Sequence, residues 1–313
     1  MPSSSTAPEG PGSVSGAPNL PSDLREGYAE IGDVRLHYVE AGEGPLVVLL
    51  HGFPEFWYGW RLQVAPLAAA GFRVVAPDMR GYNLSSKPDG VHAYDTDQLT
   101  DDIRDLVHER GAESALLAGH DWGGTVAWDT AMSHPEVVER LAILNVAHPR
   151  KFLQGLHHPG QLRKSWYVFF FDIPELPETV VHANHWHFFR HFLRDARPAY
   201  TPEEMERYIE AWSQPGAAAG MINYYRNAAR QSPKHVEAQI RPIPAPTLVI
   251  WGKTIATSAR TWPSLTTTMC PAWIVSSACP APHTGSTTTS TSASTSCSST
   301  SSPPPCQPKN PAR

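Results

Sequence analysis

The chain has 313 residues, 41% of them hydrophobic and 18% charged, which supports one sizeable core and excludes a wholly disordered or fibrous protein. With 25 basic against 30 acidic residues the formal net charge is -5, so no basic stripe stands ready to neutralise phosphates and nucleic acid is not an expected partner. That average conceals a break at Thr254: residues 1–254 carry all 30 acids and 22 of the bases, whereas residues 255–313 carry Arg260, Lys309 and Arg313, no acid, and 25 Ser or Thr in 59 positions.

At the N-terminus, Met1 to Pro21 is rich in Ser, Pro and Gly, with neither a basic n-region nor an apolar h-region. Residues 1–24 therefore read as a disordered lead rather than a signal peptide. No stretch approaches the ~18 apolar residues of a membrane span, so a soluble cytoplasmic protein is the expectation. From Arg25 onward short apolar runs alternate with longer segments of helical period. Val34 to Val39, Leu46 to Leu50, Arg73 to Ala76, Ser114 to Ala118, Leu141 to Leu144 and Thr247 to Trp251 are predicted strands, mostly continuous rather than alternating, as suits strands buried on both faces. Asp97 to Arg110 is a predicted helix, with Leu99, Ile103, Leu106 and Val107 on one face and Gly111 just past its end. This alternation predicts an α/β fold with a doubly wound, mainly parallel sheet.

Between Pro149 and Arg241 the strand signal gives way to aromatic, helical sequence. A block inserted there would sit over the carboxyl ends of the strands, where ligands bind. The expected division is a first core part at 25–148, a helical cap at 149–241, a core strand at 242–254 and a low-complexity tail at 255–313. Within the cap His182, His185, His187 and His191 recur, but no Glu or further carboxylate completes a zinc pattern, and an amphipathic helix is the better reading. The four cysteines, Cys270, Cys279, Cys297 and Cys306, lie in the tail without CxxC spacing. Neither a metal nor a cofactor is expected.

Leu116-Leu117-Ala118-Gly119-His120-Asp121-Trp122-Gly123-Gly124 runs from strand into helix through glycines, with the spacing of a nucleophile elbow and aspartate where esterases carry serine. A carboxylate held at such a tight turn can attack carbon and form an alkyl-enzyme ester. Upstream, a strand ends in His51-Gly52-Phe53-Pro54-Glu55, whose backbone N–H at Phe53, with that of Trp122 after the nucleophile, can form an oxyanion hole. Arg80-Gly81-Tyr82 with Ser85-Ser86-Lys87-Pro88 follows the next strand.

In order and spacing these three segments resemble the α/β-hydrolase fold family and, within it, the epoxide hydrolases, over roughly residues 25 to 254. The resemblance implies Asp121 as the nucleophile and two cap tyrosines, Tyr167 and Tyr225, as the acids that protonate the epoxide oxygen; Tyr224 reads as core. It implies an apolar epoxide and water as reactants, with no membrane partner. A phenol of pKa ~10 is chemically suited to that task, because it can donate to a developing alkoxide while staying protonated at neutral pH.

The resemblance also implies a histidine base with an acid partner that hydrolyses the ester. Ile255 occupies the expected acid position, and the only later histidine is His283, in Pro282-His283-Thr284-Gly285-Ser286. Ile255-Ala256-Thr257-Ser258 can be written ATC GCT ACC TCG, and one G restored in front gives Asp-Arg-Tyr-Leu. The same shift applied to Pro282-His283-Thr284-Gly285-Ser286 allows Ser-His-Trp-Val at positions 283–286. A one-base loss near codon 255 would explain the composition break and the loss of the last strand and helix of the fold. The nearest alternative is a haloalkane or haloacid dehalogenase of the same fold, for which the Trp122 side chain could hold halide but Phe53 could not. A non-catalytic binding protein that lost its base is a second.

Overall fold

In the computed structural model the described residues are 20–155, 166–194 and 199–252. All of them belong to one compact unit, Met1–Cys279. The tail from 255, its cysteines and His283, and residues 1–19 of the lead lie outside them.

Seven strands, β1 (Arg25–Ile31), β2 (Val34–Ala41), β3 (Leu46–Leu50), β4 (Arg73–Pro77), β5 (Ala115–His120), β6 (Val138–Leu144) and β7 (Thr247–Ile250), form one sheet in the order β1-β2-β4-β3-β5-β6-β7. The β1–β2 and β2–β4 pairs are antiparallel and the other four pairs parallel. All five residues of β3 are buried, which accounts for its uninterrupted Leu and Val run. Strand β1, absent from the sequence reading, is an edge strand in which only Ala29 and Ile31 are buried, so its polar REGYAEI text carries little strand signal. Ordered chain also begins before Arg25: Leu20 packs on the core and Leu24 is buried, so the expected lead through residue 24 is too long.

Helices α1 (Arg61–Ala69), α2 (Thr96–Glu109) and α3 (Trp122–Ser133) connect the strands. Helix α2 buries Leu99, Ile103, Leu106 and Val107, the apolar face seen in the sequence. Between β6 and β7 the described residues hold only helices: α4 (Pro149–Gly155), α5 (Trp166–Phe171), α6 (Leu176–Leu193), α7 (Pro202–Trp212), α8 (Ala217–Arg230) and α9 (Pro233–Gln239). The histidine run does not form the continuous amphipathic helix expected of it. Helix α6 is interrupted at Ala183 to Trp186, where Asn184, His185 and Trp186 have left-handed φ of 52°, 50° and 58°. The break turns Trp186 inward, where its indole N–H donates to Ser213 Oγ at 3.2 Å and its ring stacks on Phe189. His182, His185, His187 and His191 all remain exposed.

A buried ion pair fixes the loop after β4. Arg80 Nε and Nη2 donate to the two oxygens of Asp102 at 2.6 and 2.5 Å, Nη1 donates to the Ala93 carbonyl at 2.7 Å, and the Tyr224 hydroxyl donates to the Arg80 carbonyl at 2.9 Å. Removing one member leaves the other charged and dry, which costs about 3–5 kcal/mol. Asp102→Ala is therefore expected to lower the melting temperature by roughly 10 °C, and calorimetry on the purified variant measures it.

Candidate active site

Strand β3 lies between β4 and β5, so the chain leaves it in one direction and returns on its other side; the crevice at this switch point opens at the carboxyl ends of β3 and β5. The parallel register runs from Val47 opposite Leu116 to Leu50 opposite Gly119. Two residues further on, the same register sets Gly52 and Phe53 against Asp121.

Asp121 follows β5 and caps α3 with φ 52° and ψ -123°, a left-handed backbone that a non-glycine residue adopts only when its surroundings enforce it. The turn is this tight because Gly119 and Gly123 touch: a Cβ on Gly119 would stand 2.2 Å from the Gly123 carbonyl oxygen. A Cβ on Gly52 would stand 2.4 Å from that of Asp121. The Phe53 N–H donates to Asp121 Oδ1 at 2.8 Å. One carboxylate oxygen is thereby pinned by a backbone dipole. Trp122 is the first residue of α3, and its ring meets Tyr225 at 5.1 Å.

His51 is a strut rather than a base. Its Nδ1 donates to the Gly52 carbonyl and its Nε2 accepts from the Met79 N–H, both at 3.0 Å, so the two partners fix the neutral tautomer. Burial holds its pKa below 6.5. Pro54 follows a cis peptide bond, and its carbonyl accepts the Trp212 indole N–H at 2.6 Å.

The helical insertion brings Tyr167 and Tyr225 together, ring centroids 5.7 Å apart, beside Phe53. Burial first, and then the Asp121 charge, raise both phenols above their ordinary range, so they stay protonated donors. Tyr224, one residue away, is committed to the Arg80 carbonyl and serves packing. The Phe53 ring meets Phe171, Phe189, Phe192 and Tyr225 within 5.6 Å. An aromatic wall therefore surrounds the Phe53 ring.

The structure adds a pair that the motifs alone did not reveal. His120 Nδ1 donates to Glu55 Oε2 at 3.3 Å, Glu55 Oε1 accepts from the Tyr200 hydroxyl at 3.3 Å, and Tyr208 donates to Tyr200 at 3.0 Å. Burial pushes the Glu55 carboxyl up, but His120 and Tyr200 together hold it below its usual range. For His120, burial lowers the pKa, but Glu55 and then Asp121 more than offset it and raise the imidazole above 6.5. Both residues stand inside quoted motifs, but their pairing requires the adjacency of β3 and β5. A second tie joins Arg61 Nε to Glu204 Oε1 at 2.5 Å, and Glu204 in turn closes a capping box with Thr201. Among the described residues, no group of three or more His, Cys, Asp or Glu side chains could hold a metal, and no helix is long and apolar enough to cross a membrane.

Residues 45–268 match the α/β hydrolase fold family, and with more than half its length so matched the chain belongs to that family. Among its relatives, a Bacillus subtilis protein named AB hydrolase superfamily protein YfhM is 43% identical over 231 residues, 72% of this chain and 79% of that protein. Epoxide hydrolase 4 of Homo sapiens is 41% identical over 239 residues, and the match spans only 64% of its length. An inhibitor complex of a Bacillus megaterium epoxide hydrolase superposes with a TM-score of 0.73 at 30% identity, covering 80% of this chain and 91% of that one.

The neutral state of His51 has a pH signature. Its folded pKa lies below the ordinary 6.5, so between those values the unfolded chain binds a proton that the folded chain does not, and stability falls as pH falls. Denaturant midpoints at about pH 7.5 and about pH 5.5 are expected to show the wild type losing more stability than His51→Gln as pH falls.

Proposed function

We propose that this chain carries an epoxide-opening site. Oδ2 of Asp121 bonds to one ring carbon while that carbon's bond to oxygen breaks, and the oxygen takes a proton from Tyr167 or Tyr225. The observation that carries this reading is an elbow aspartate with one oxygen held by the Phe53 N–H, faced by two protonated tyrosines. Epoxide opening needs both elements: a nucleophile aimed by a fixed dipole, and a proton donor for the alkoxide. The names of the relatives support it, as does the aromatic wall of Phe53, Phe171 and Phe192, which suits an apolar or aryl epoxide.

On this proposal the chain from Ile255 is sequence displaced by one lost base. Ile255 to Pro263, back-translated with one base restored, allows Asp-Arg-Tyr-Leu-Gly-Pro-Asp-Leu-Ala, which places an acid at position 255. Such a loss removes the hydrolytic histidine and its acid that the resemblance implies, so the ester outlives the ring-opening step.

The test is intact-mass and peptide mapping after exposure of the purified chain to styrene oxide. One adduct on Asp121 is expected, absent in Asp121→Asn; an unmodified Asp121 with no diol overturns the reading. Restoring one base before codon 255 is expected to raise diol turnover by at least about 100-fold, the scale of a general base, and release of bromide from a bromoalkane in preference to diol formation would point to dehalogenation instead.

A further inference from the structure

Resting on the Asp121 ester just proposed, the structure bears on how this chain could still release it. Ester hydrolysis needs a base near the carbonyl carbon. Among the described residues, histidines lie within ion-pair distance of a carboxylate at His37–Asp78, His92–Asp95, His134–Asp101 and His120–Glu55. The first pair is sealed in the core, with side chains 1% and 0% exposed. His92 lies on the turn before α2, and His134 ends α3, at the opposite end of that helix from Asp121. His51 has both nitrogens engaged, and His148 Nδ1 faces the Arg150 N–H with its ring against Trp128.

His120 differs on each count. It immediately precedes Asp121 and feels its charge; its Nδ1–H is taken by Glu55, which leaves the Nε2 lone pair as the accepting site; and its side chain is 37% exposed, so water can reach it. Carboxylate, imidazole and water in this arrangement are the parts of a general base, the carboxylate fixing the tautomer and steadying the imidazolium that forms. Tyr200 holds the other Glu55 oxygen, so the carboxylate cannot swing away.

We infer that His120, oriented by Glu55, is the base that releases the Asp121 ester in this chain. A water molecule gives a proton to His120 Nε2 as its oxygen bonds to the Asp121 carboxyl carbon. The tetrahedral intermediate collapses with cleavage of the bond to the alkyl oxygen, and that oxygen takes the proton from His120. Diol leaves, and the Asp121 carboxyl, which now contains the water oxygen, gives up its proton to the tyrosinate left by ring opening, so that both groups return to their starting states. During release the group that sets the protonation of His120 is Glu55 from the loop after β3, with Tyr200 acting through it; Asp121, which adds its charge in the free chain, is neutral as the ester.

The experiment loads the full chain with styrene oxide, removes the excess and follows the adduct by intact mass. In the wild type the adduct is expected to decay with release of phenylethanediol, faster as pH rises and levelling above the His120 pKa. His120→Asn is expected to accumulate the same adduct and lose it about 100-fold more slowly. Accumulation itself certifies a folded, competent nucleophile. Glu55→Gln is expected to move the midpoint of the decay profile to lower pH, because the carboxylate that raises the imidazole pKa is gone, and loss of a merely structural contact would leave that midpoint in place. An adduct that persists in the wild type, or decays equally fast in His120→Asn, overturns this inference and leaves the ester reading intact; absence of any adduct or diol overturns both.

Discussion

The site depends on a backbone contact with no room for a side chain. A Cβ on Gly123 would stand 2.3 Å from the Leu50 carbonyl oxygen and 2.4 Å from that of His51, so the first turn of α3 rests directly on the end of β3. That contact fixes the height of the elbow above the sheet, and with it the left-handed backbone of Asp121 and the reach of the Phe53 N–H to Oδ1. Strain at one aspartate is sustained because β3 and β5 are paired in register over four residues beneath it.

The loop after β3 is the second organising element, because it faces both ways. Toward the sheet it holds Asp121 through Phe53; toward the helical insertion it receives the Trp212 indole at Pro54 and the Tyr200 hydroxyl at Glu55. Arg61 at the start of α1 is tied to Glu204 and lies over the Tyr58 and Tyr200 rings. The insertion is thus docked through directional bonds as well as apolar contact, with its two candidate acids, Tyr167 and Tyr225, set by the rings around Phe53. Such bonds specify one orientation where aromatic packing alone would tolerate several.

How much of this was legible in the sequence follows the range of the forces involved. Strands β3 and β5 and helix α2 were readable because burial on two faces or one imposes a period on the residues themselves. Strand β1 was not, since an antiparallel edge strand buries only Ala29 and Ile31. The interruption of α6 carries neither Gly nor Pro at Ala183 to Trp186, and what decides it is the seat found by Trp186 among Phe189, Trp212 and Ser213. At the site, Asp121, Phe53 and the glycines belong to local motifs and could be named in advance. The Glu55–His120 pair joins residues 65 apart, and only the sheet order brings them together.

Phe53 carries two duties on one residue: its backbone steadies the Asp121 carboxylate and its ring closes the apolar wall. A bulky guest that pushes the ring aside pulls on the same peptide unit that aligns Oδ1. The width of the wall and the alignment of the Asp121 carboxylate are therefore not separable traits in this architecture, and remodelling the wall at this position to admit larger molecules would loosen that carboxylate in the same stroke. The freer positions for such remodelling are Phe171, Phe189 and Phe192, whose rings share the wall but whose backbones belong to the insertion.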